Sequence, residues 1–200
     1  FRSTPNGIRI ERTDQQLFYL MKAAGWGRIM VAPESGSQKM LERMSKHLDL
    51  NVVPEKVRQL QKAGLEVEAF FIVGHPGEDK NTIEETRQFI KDVKFDMASF
   101  FAFQPLPGTP IYDELVRMGS VSKTDEMTSY GVVNWVPENW TKKEIYDIIY
   151  DFKRIMTDMY PWRFERIFAK QTLIGKFIEK IANPHDRHML VMHVYNVRKK

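Results

Sequence analysis

Val67-Glu68-Ala69-Phe70-Phe71-Ile72-Val73 runs directly into Gly74-His75-Pro76-Gly77-Glu78. A short run rich in Val, Ile and Phe, stopped by a Gly/Pro cluster, predicts a buried strand and the loop at its C-terminal end. On its N-terminal side, Pro54 opens a helix with Val57, Leu60 and Ala63 on one face and Gly64 just past its end. On its C-terminal side, Asn81 or Thr82 begins a helix that continues through Val93. A second strand, about 96–103, then runs into Gln104-Pro105-Leu106-Pro107-Gly108-Thr109-Pro110, and a helix follows from Pro110 to about Met118. The same order appears upstream: Thr13 or Asp14 caps a helix carrying Leu17, Leu20, Met21 and Ala24, which ends at Gly25. Ile29-Met30-Val31-Ala32 then leads into Pro33-Glu34-Ser35-Gly36-Ser37, with Ser37 placed to cap a helix over 38–45.

Strand, loop and helix thus recur about every 30–40 residues, the rhythm of right-handed βαβ units and a parallel sheet. Each strand ends in a loop enriched in Gly and Pro. One such loop is what any tight turn needs. Three of them at one edge of a parallel sheet mark the edge where such sheets bind ligands, because backbone N–H groups and helix N-termini face outward there. Residues 119–140 read as an irregular linker, and 141–200 as a helical extension in which Thr141 caps 142–159 and a further helix spans 162–181.

Composition narrows the function. With 42% hydrophobic and 28% charged residues in 200, the chain can bury a core, which excludes a disordered or low-complexity protein. No apolar run has the length of a membrane span, and Phe1-Arg2-Ser3-Thr4 is not a signal peptide, so a cytoplasmic location is expected. The net charge of 30 − 26 = +4 is mixed along the chain, with one short basic tail, Arg198-Lys199-Lys200, and does not indicate an extended nucleic-acid surface. Having no cysteine, the chain forms no disulfide, offers no thiol nucleophile and cannot by itself ligate an iron–sulfur cluster through thiolates. The five histidines are dispersed, and His185, His188 and His193 lie in a polar C-terminal stretch without a convincing carboxylate as third ligand. A first residue other than Met predicts part of a longer gene product.

The three loops and their surroundings resemble, in order and spacing, the C-terminal half of a radical S-adenosylmethionine (SAM) domain, in the branch that often carries a cobalamin-binding domain. Pro5-Asn6-Gly7-Ile8-Arg9-Ile10 is similar to that family's third strand and following loop, and Asp14 to Gly25 to its next helix. Pro33–Ser37 matches the fourth strand, Phe70–Glu78 the fifth, and Pro105–Tyr112 the segment after the sixth. Tyr160-Pro161-Trp162-Arg163 resembles its C-terminal helical region more weakly. The match covers about 4–118.

The resemblance implies an α/β fold: a partial (β/α) TIM-like barrel, residues 1–118 forming its C-terminal half, with SAM across the top of the strands. It implies reductive SAM cleavage by an iron–sulfur cluster to a radical that takes hydrogen from a large small-molecule or macromolecular substrate. The family's cluster cysteines follow its first strand and have no counterpart here. The cluster would belong to a parent enzyme, cobalamin would be a further cofactor of the branch, and the N-terminal half of the domain would be a partner. Without that half, the strand nearest residue 30 should have an open edge through which copies of the chain associate, unless residues 1–12 or the C-terminal helices fold over it.

Glu34 falls on the ribose-contacting position, where a carboxylate accepts hydrogen bonds from sugar hydroxyls or the SAM ammonium. The structural alternatives are a solvent-facing loop acid or a partner for Arg28. Ser35 and Ser37 would add hydrogen bonds, although Ser37 serves equally as a plain helix cap. Ile72 and Gly74 match the adenine-contacting motif, in which an apolar side chain packs on the purine and glycine leaves room for it. Here Phe70 stands where the motif has its first glycine, and Glu78 lies one residue later than the usual acid. Phe103 and the backbone of Gln104–Leu106 would line the adenine pocket, against the default of core packing. His75 reads as a loop residue rather than a base, and Thr109-Pro110 as an ordinary helix start. Methyl transfer or cyclisation on a large substrate is the leading reading, and a non-catalytic half-barrel scaffold the alternative.

Overall fold

In a computed structural model of the chain, residues 2–121 and 132–160 are described. The helix expected over 162–181, the three C-terminal histidines and the basic tail lie outside them. Two compact units divide at 153/154. The first contains a four-stranded, all-parallel sheet in the order β1 (Arg2–Ser3), β2 (Trp26–Glu34), β3 (Glu66–Val73), β4 (Met97–Ala102). The α-helices are α1 (Gln15–Ala23), α2 (Gln38–Arg43), α3 (Val53–Lys62), α4 (Lys80–Val93), α5 (Pro110–Arg117) and α6 (Lys142–Met159), with short 3-10 turns at Ile10–Arg12 and Leu50–Val52. Sequential parallel strands joined through helices form the α/β half-barrel that the rhythm of the sequence predicts.

Side-chain alternation divides the sheet into two faces. Ile29 and Val31 of β2, Val67, Ala69, Phe71 and Val73 of β3, and Phe100 and Ala102 of β4 are buried on the helix-covered outer face. Phe71 is the centre of that layer, stacked on Phe100 at 5.5 Å and edge-on to Phe95 at 5.9 Å. Burial of each such side chain contributes about 1.5–3 kcal/mol.

The inner face carries a polar layer at the N-terminal end of the strands. Arg28 donates to Glu68 at 3.1 Å and to Glu66 at 3.2 Å, and Ser99 donates to Glu68 at 3.0 Å. Above it, Phe70 meets Phe101 edge-on at 6.0 Å, and Phe101 is 38% exposed, so this face is only partly covered.

The helix starts follow local chemistry. Asp14 accepts from Leu17 N–H, and Thr109 caps α5 ahead of Pro110. α4 begins one to two residues earlier than the sequence suggests, because Asp79 is its cap and Thr82 Oγ1 in turn accepts from the Asp79 amide. Thr141 and Glu144 form the same reciprocal pair at α6. Ser37 occupies the cap position of α2, but its hydroxyl makes no capping bond.

β2 is longer than the apolar run 29–32 implied, extending from Trp26 to Glu34. Its expected open edge is not present. Arg2 and Ser3 pair with Trp26 and Arg28, Ile8 bridges to Val31, and the sheet's margin passes to the two-residue β1. The described residues of the expected linker pack on the sheet unit: Trp135 meets Phe103 edge-on at 5.4 Å, and Trp140 Nε1 donates to the Glu78 carbonyl at 3.2 Å.

Candidate functional site

All three Gly/Pro-rich loops lie at the C-terminal edge of the parallel strands. Glu34 pairs in register with Phe71, the residue before Ile72, so the two candidate binding elements stand at the same level of the sheet.

Glu34, the last residue of β2, has φ +69°. The left-handed region costs a residue with a Cβ about 1–2 kcal/mol, and the loop that follows holds it there. Ser35 is fully buried with its hydroxyl 3.1 Å from Thr86 Oγ1, and the Gly36 amide donates to the same oxygen at 3.0 Å. Thr86 spends its proton on the Thr82 carbonyl at 2.9 Å, so it accepts from both loop residues, and Ser35 is the donor. Gly36 lies against α4 so closely that a Cβ there would sit 2.6 Å from Phe89 Cβ. The loop is thereby stapled to α4.

The Glu34 carboxylate does not meet Arg28, six residues earlier and so about 20 Å along the strand. It accepts from Lys46 Nζ at 2.9 Å, at a cavity of about 480 Å³ also lined by Gly7, Arg9, Ala32 and His47. Ser35 and Ser37 do not line that cavity; both are buried in protein, and the Ser37 hydroxyl is without a hydrogen-bond partner.

Gly74 ends β3 with φ +85°, and a Cβ there would lie 3.0 Å from Ile145 Cδ1 of α6. Its amide donates to Glu78 Oε2 at 2.5 Å. Burial pushes the Glu78 carboxyl up to about 7, partly offset by backbone hydrogen bonds from Gly74 and His75. His75 is also buried, which lowers its pKa, and its Nδ1 lies 2.9 Å from the Pro76 carbonyl. A carbonyl only accepts, so Nδ1 carries the ring proton. The imidazole meets Phe103 edge-on at 4.8 Å.

Phe103 is buried with Tyr112, Leu115 and Val121, and Ile72 packs against that cluster. The Gln104 side chain donates to the Val132 carbonyl at 2.7 Å and accepts from Asn134 at 3.0 Å. Ile72 and Phe103 therefore share one apolar cluster beside Gly74, while Glu34 and Lys46 stand in a separate polar cavity on the neighbouring strand. A second cavity, of about 1000 Å³, lies between Pro76–Lys80, α5 and the segment carrying Trp135 and Trp140.

Sequence reasoning did not single out Lys46, Thr86 or the buried state of Glu78. Gly74-His75-Pro76-Gly77-Glu78 held a signal for the last, since a Pro-Gly turn three residues long returns the acid to the Gly74 amide. Lys46 and Thr86 had none, since each reaches the site from a helix end or helix face distant in sequence.

A family model described as the radical SAM superfamily matches residues 1–90. The chain is 30% identical over 163 residues to a cytidylyl-2-hydroxyethylphosphonate methyltransferase of Streptomyces wedmorensis, covering 76% of this chain and 30% of that protein. It is 29% identical over 174 residues to an anaerobic magnesium-protoporphyrin IX monomethyl ester cyclase of Cereibacter sphaeroides, covering 82% and 27%. In fold it is similar to the radical SAM enzyme coproporphyrinogen III oxidase from Escherichia coli, with TM-score 0.53, 12% identity, and 75% and 31% of the two chains covered. The cobalamin-dependent SAM radical enzyme OxsB gives TM-score 0.50 at 15% identity, over 98% and 32%. The chain spans less than a third of each of these proteins.

Proposed function

The chain belongs to the radical SAM superfamily, and on that premise we propose that it is the SAM-side part of an enzyme that cleaves SAM reductively for radical chemistry on a large substrate. The observation that carries this reading is Glu34: a carboxylate held in the left-handed region at the C-terminal edge of the sheet, facing a cavity of about 480 Å³. Glu34 accepts the ribose hydroxyls in its cavity. The purine reaches toward β3, where Ile72 packs on it, Gly74 leaves the backbone low and Phe103 with the Gln104 backbone closes the far side. This requires the apolar cluster of Ile72 and Phe103, separate from the Glu34 cavity in the structure, to open toward β2. Ser35 serves this contact by fixing the loop that aims Glu34, bonding Thr86 and accepting the Ser37 amide, while the Ser37 hydroxyl takes no part in that fixing. Gly74 faces Ile145 at present, so adenine entry requires that side chain to turn aside.

The donor set does not fit an iron–sulfur cluster. The chain contains no cysteine, and no group of three His, Asp or Glu suited to a metal occurs among the described residues. The cluster is supplied by a cysteine-bearing partner half in this reading, and this chain's own work is to hold and orient SAM. Cobalamin is carried only by the likeness to OxsB, and no residue is assigned to it. The missing cysteines are also what favours a second reading, a half-barrel binding or scaffold module without redox chemistry.

Calorimetric titration of the chain with SAM tests the proposal. Glu34→Ala should weaken binding by about 1–3 kcal/mol, the cost of losing charged hydrogen bonds. Equal affinity in the two proteins removes Glu34 from the site, and absence of binding favours the scaffold. Anaerobic reconstitution should load no stoichiometric thiolate-ligated cluster on this chain alone.

A further inference from the structure

α5 carries Tyr112 and Leu115, two of the four buried residues of the apolar cluster that includes Phe103, and Ile72 and Trp135 pack against that cluster. Beside Leu115, Glu114 accepts from the guanidinium of Arg43, the last residue of α2. The Arg43 stem lies along the second Gly/Pro-rich loop, where a Cβ on Gly77 would meet its Cγ at 3.7 Å. One side chain thus leaves the helix that follows the first loop, crosses the second and ends on the helix that follows the third. Both charges act on the His75 ring, in opposite senses, and that ring meets Phe103 edge-on. The pair is open to solvent, with 42% and 34% of the two side chains exposed. Arg43, Glu114 and Leu115 line the cavity of about 1000 Å³, so α5 has space beside it. Gly108 and Gly119 flank the helix, and a Cβ at either would find nothing within 4 Å, which leaves both ends free to bend.

We propose that the Arg43–Glu114 pair is a latch: it fastens α5 to α2 across Gly77 and keeps the cluster of Ile72 and Phe103 closed, and its release lets that cluster open to admit the purine. The inference rests on the assignment of Ile72 and Phe103 to purine binding, which requires the cluster to open. An exposed arginine and glutamate are well hydrated when apart, so the pair holds α5 only weakly and releases it readily. A chain that binds only when open has its affinity reduced by the fraction that is open. Breaking the latch therefore tightens binding, the opposite sign to the loss of a supporting contact. Neither residue touches the ligand.

Trp135, edge-on to Phe103, reports the state of the cluster without any ligand. In the ligand-free chain, Arg43→Met and Glu114→Gln should each raise acrylamide quenching of Trp135, taken as the difference from the matching Trp135→Phe chain. Each should also tighten SAM binding and speed its association by about two- to fivefold, the range open to an exposed ion pair. Arg43→Glu combined with Glu114→Arg should restore the values of the unsubstituted chain. Salt at about 1 M, where the screening length falls to about 3 Å, should raise quenching in the unsubstituted chain and so supplies an arm that depends on no variant folding. Unchanged quenching in both single variants and in salt overturns the latch. Weaker SAM binding in both variants makes the pair a support and overturns it as well. Raised quenching with unchanged SAM affinity separates the pair from ligand entry, and the proposal falls while the Glu34 assignment does not. If no variant takes up SAM at millimolar concentration, the purine assignment fails and the proposal with it, and the quenching distinguishes that failure from a pair that never held α5.

Discussion

Glu78 Oε2 accepts the Gly74 amide proton at 2.5 Å, so the loop that leaves β3 is closed by the side chain of its own last residue. The closure puts a carboxylate where solvent cannot reach it: Glu78 is 6% exposed, under Trp140 and beside His75. Position, rather than pairing with a cation, gives this acid its altered proton affinity, since burial is the largest cause of its raised pKa.

Stability should therefore fall as pH rises through the range between the ordinary carboxylate value and about 7. The folded state binds the Glu78 proton more tightly than the unfolded state, so its contribution is fully present below about 4.5 and lost as pH approaches 7. The shift corresponds to a gross effect of about 3 kcal/mol. His75, whose pKa is lowered by burial, works in the opposite direction and costs stability as pH falls below its ordinary value. Thermal unfolding between pH 5 and 7 should show Tm decreasing with pH in the unsubstituted chain. In Glu78→Gln that slope should vanish or reverse to the sign set by His75. An unchanged slope would assign it to another group.

Gly36→Ala should destabilise the chain by about 1–3 kcal/mol or more, because the new methyl meets Phe89 Cβ and Thr86 Cα, each at 2.6 Å, with no space to enter. Gly25→Ala is the control: nothing lies within 4 Å, and only its φ of +85° opposes a side chain. Chemical denaturation should place Gly36→Ala well below Gly25→Ala. Equal midpoints would mean that the loop moves away from α4 at little cost.

How far the sequence was readable depends on distance along the chain. β3, the capped helices α1 and α5, the Pro-started helix α3, and the position of the three loops follow from local patterns, because apolar runs, cap residues and Gly/Pro breaks act over a few residues. β2 was read too short because Arg28 interrupts its apolar run, and an arginine in a strand suggests its end. The charge is tolerated because Glu66 and Glu68 of β3 face it across the sheet, a pairing of residues about 40 apart that no local pattern encodes. The same limit hid Lys46 and Thr86. Arg28, the partner considered for Glu34 in its structural alternative, is close in sequence but remote along an extended strand.

That polar layer yields the next expectation. Arg28→Met should destabilise the chain by about 3–5 kcal/mol at neutral pH, since Glu68, 7% exposed, would keep only the Ser99 hydroxyl as partner. Urea titration at pH 7 measures the loss, and a value near that of trimming an exposed side chain would mean that Ser99 alone suffices as partner for Glu68.

The final expectation concerns how the margin of the sheet is covered. β2 is flanked by a strand of only two residues, yet its central backbone is satisfied: the Met30 amide donates to Thr4 Oγ1 at 2.8 Å, and the Met30 carbonyl accepts from Ile8 N–H at 2.9 Å. One side-chain hydroxyl thus does what a neighbouring strand's carbonyl would otherwise do. Thr4 is almost buried, so little water reaches the amide it covers. In Thr4→Val the shape is kept and the acceptor lost. Amide hydrogen exchange at Met30 should then accelerate by about tenfold or more, the equivalent of a net hydrogen bond of about 1–1.5 kcal/mol. Ile29 and Val31, directed toward β3, should exchange as before. If all three amides accelerate together, the whole strand opens as a unit and Thr4 acts as a global staple. If none changes, the hydroxyl is not what protects this edge.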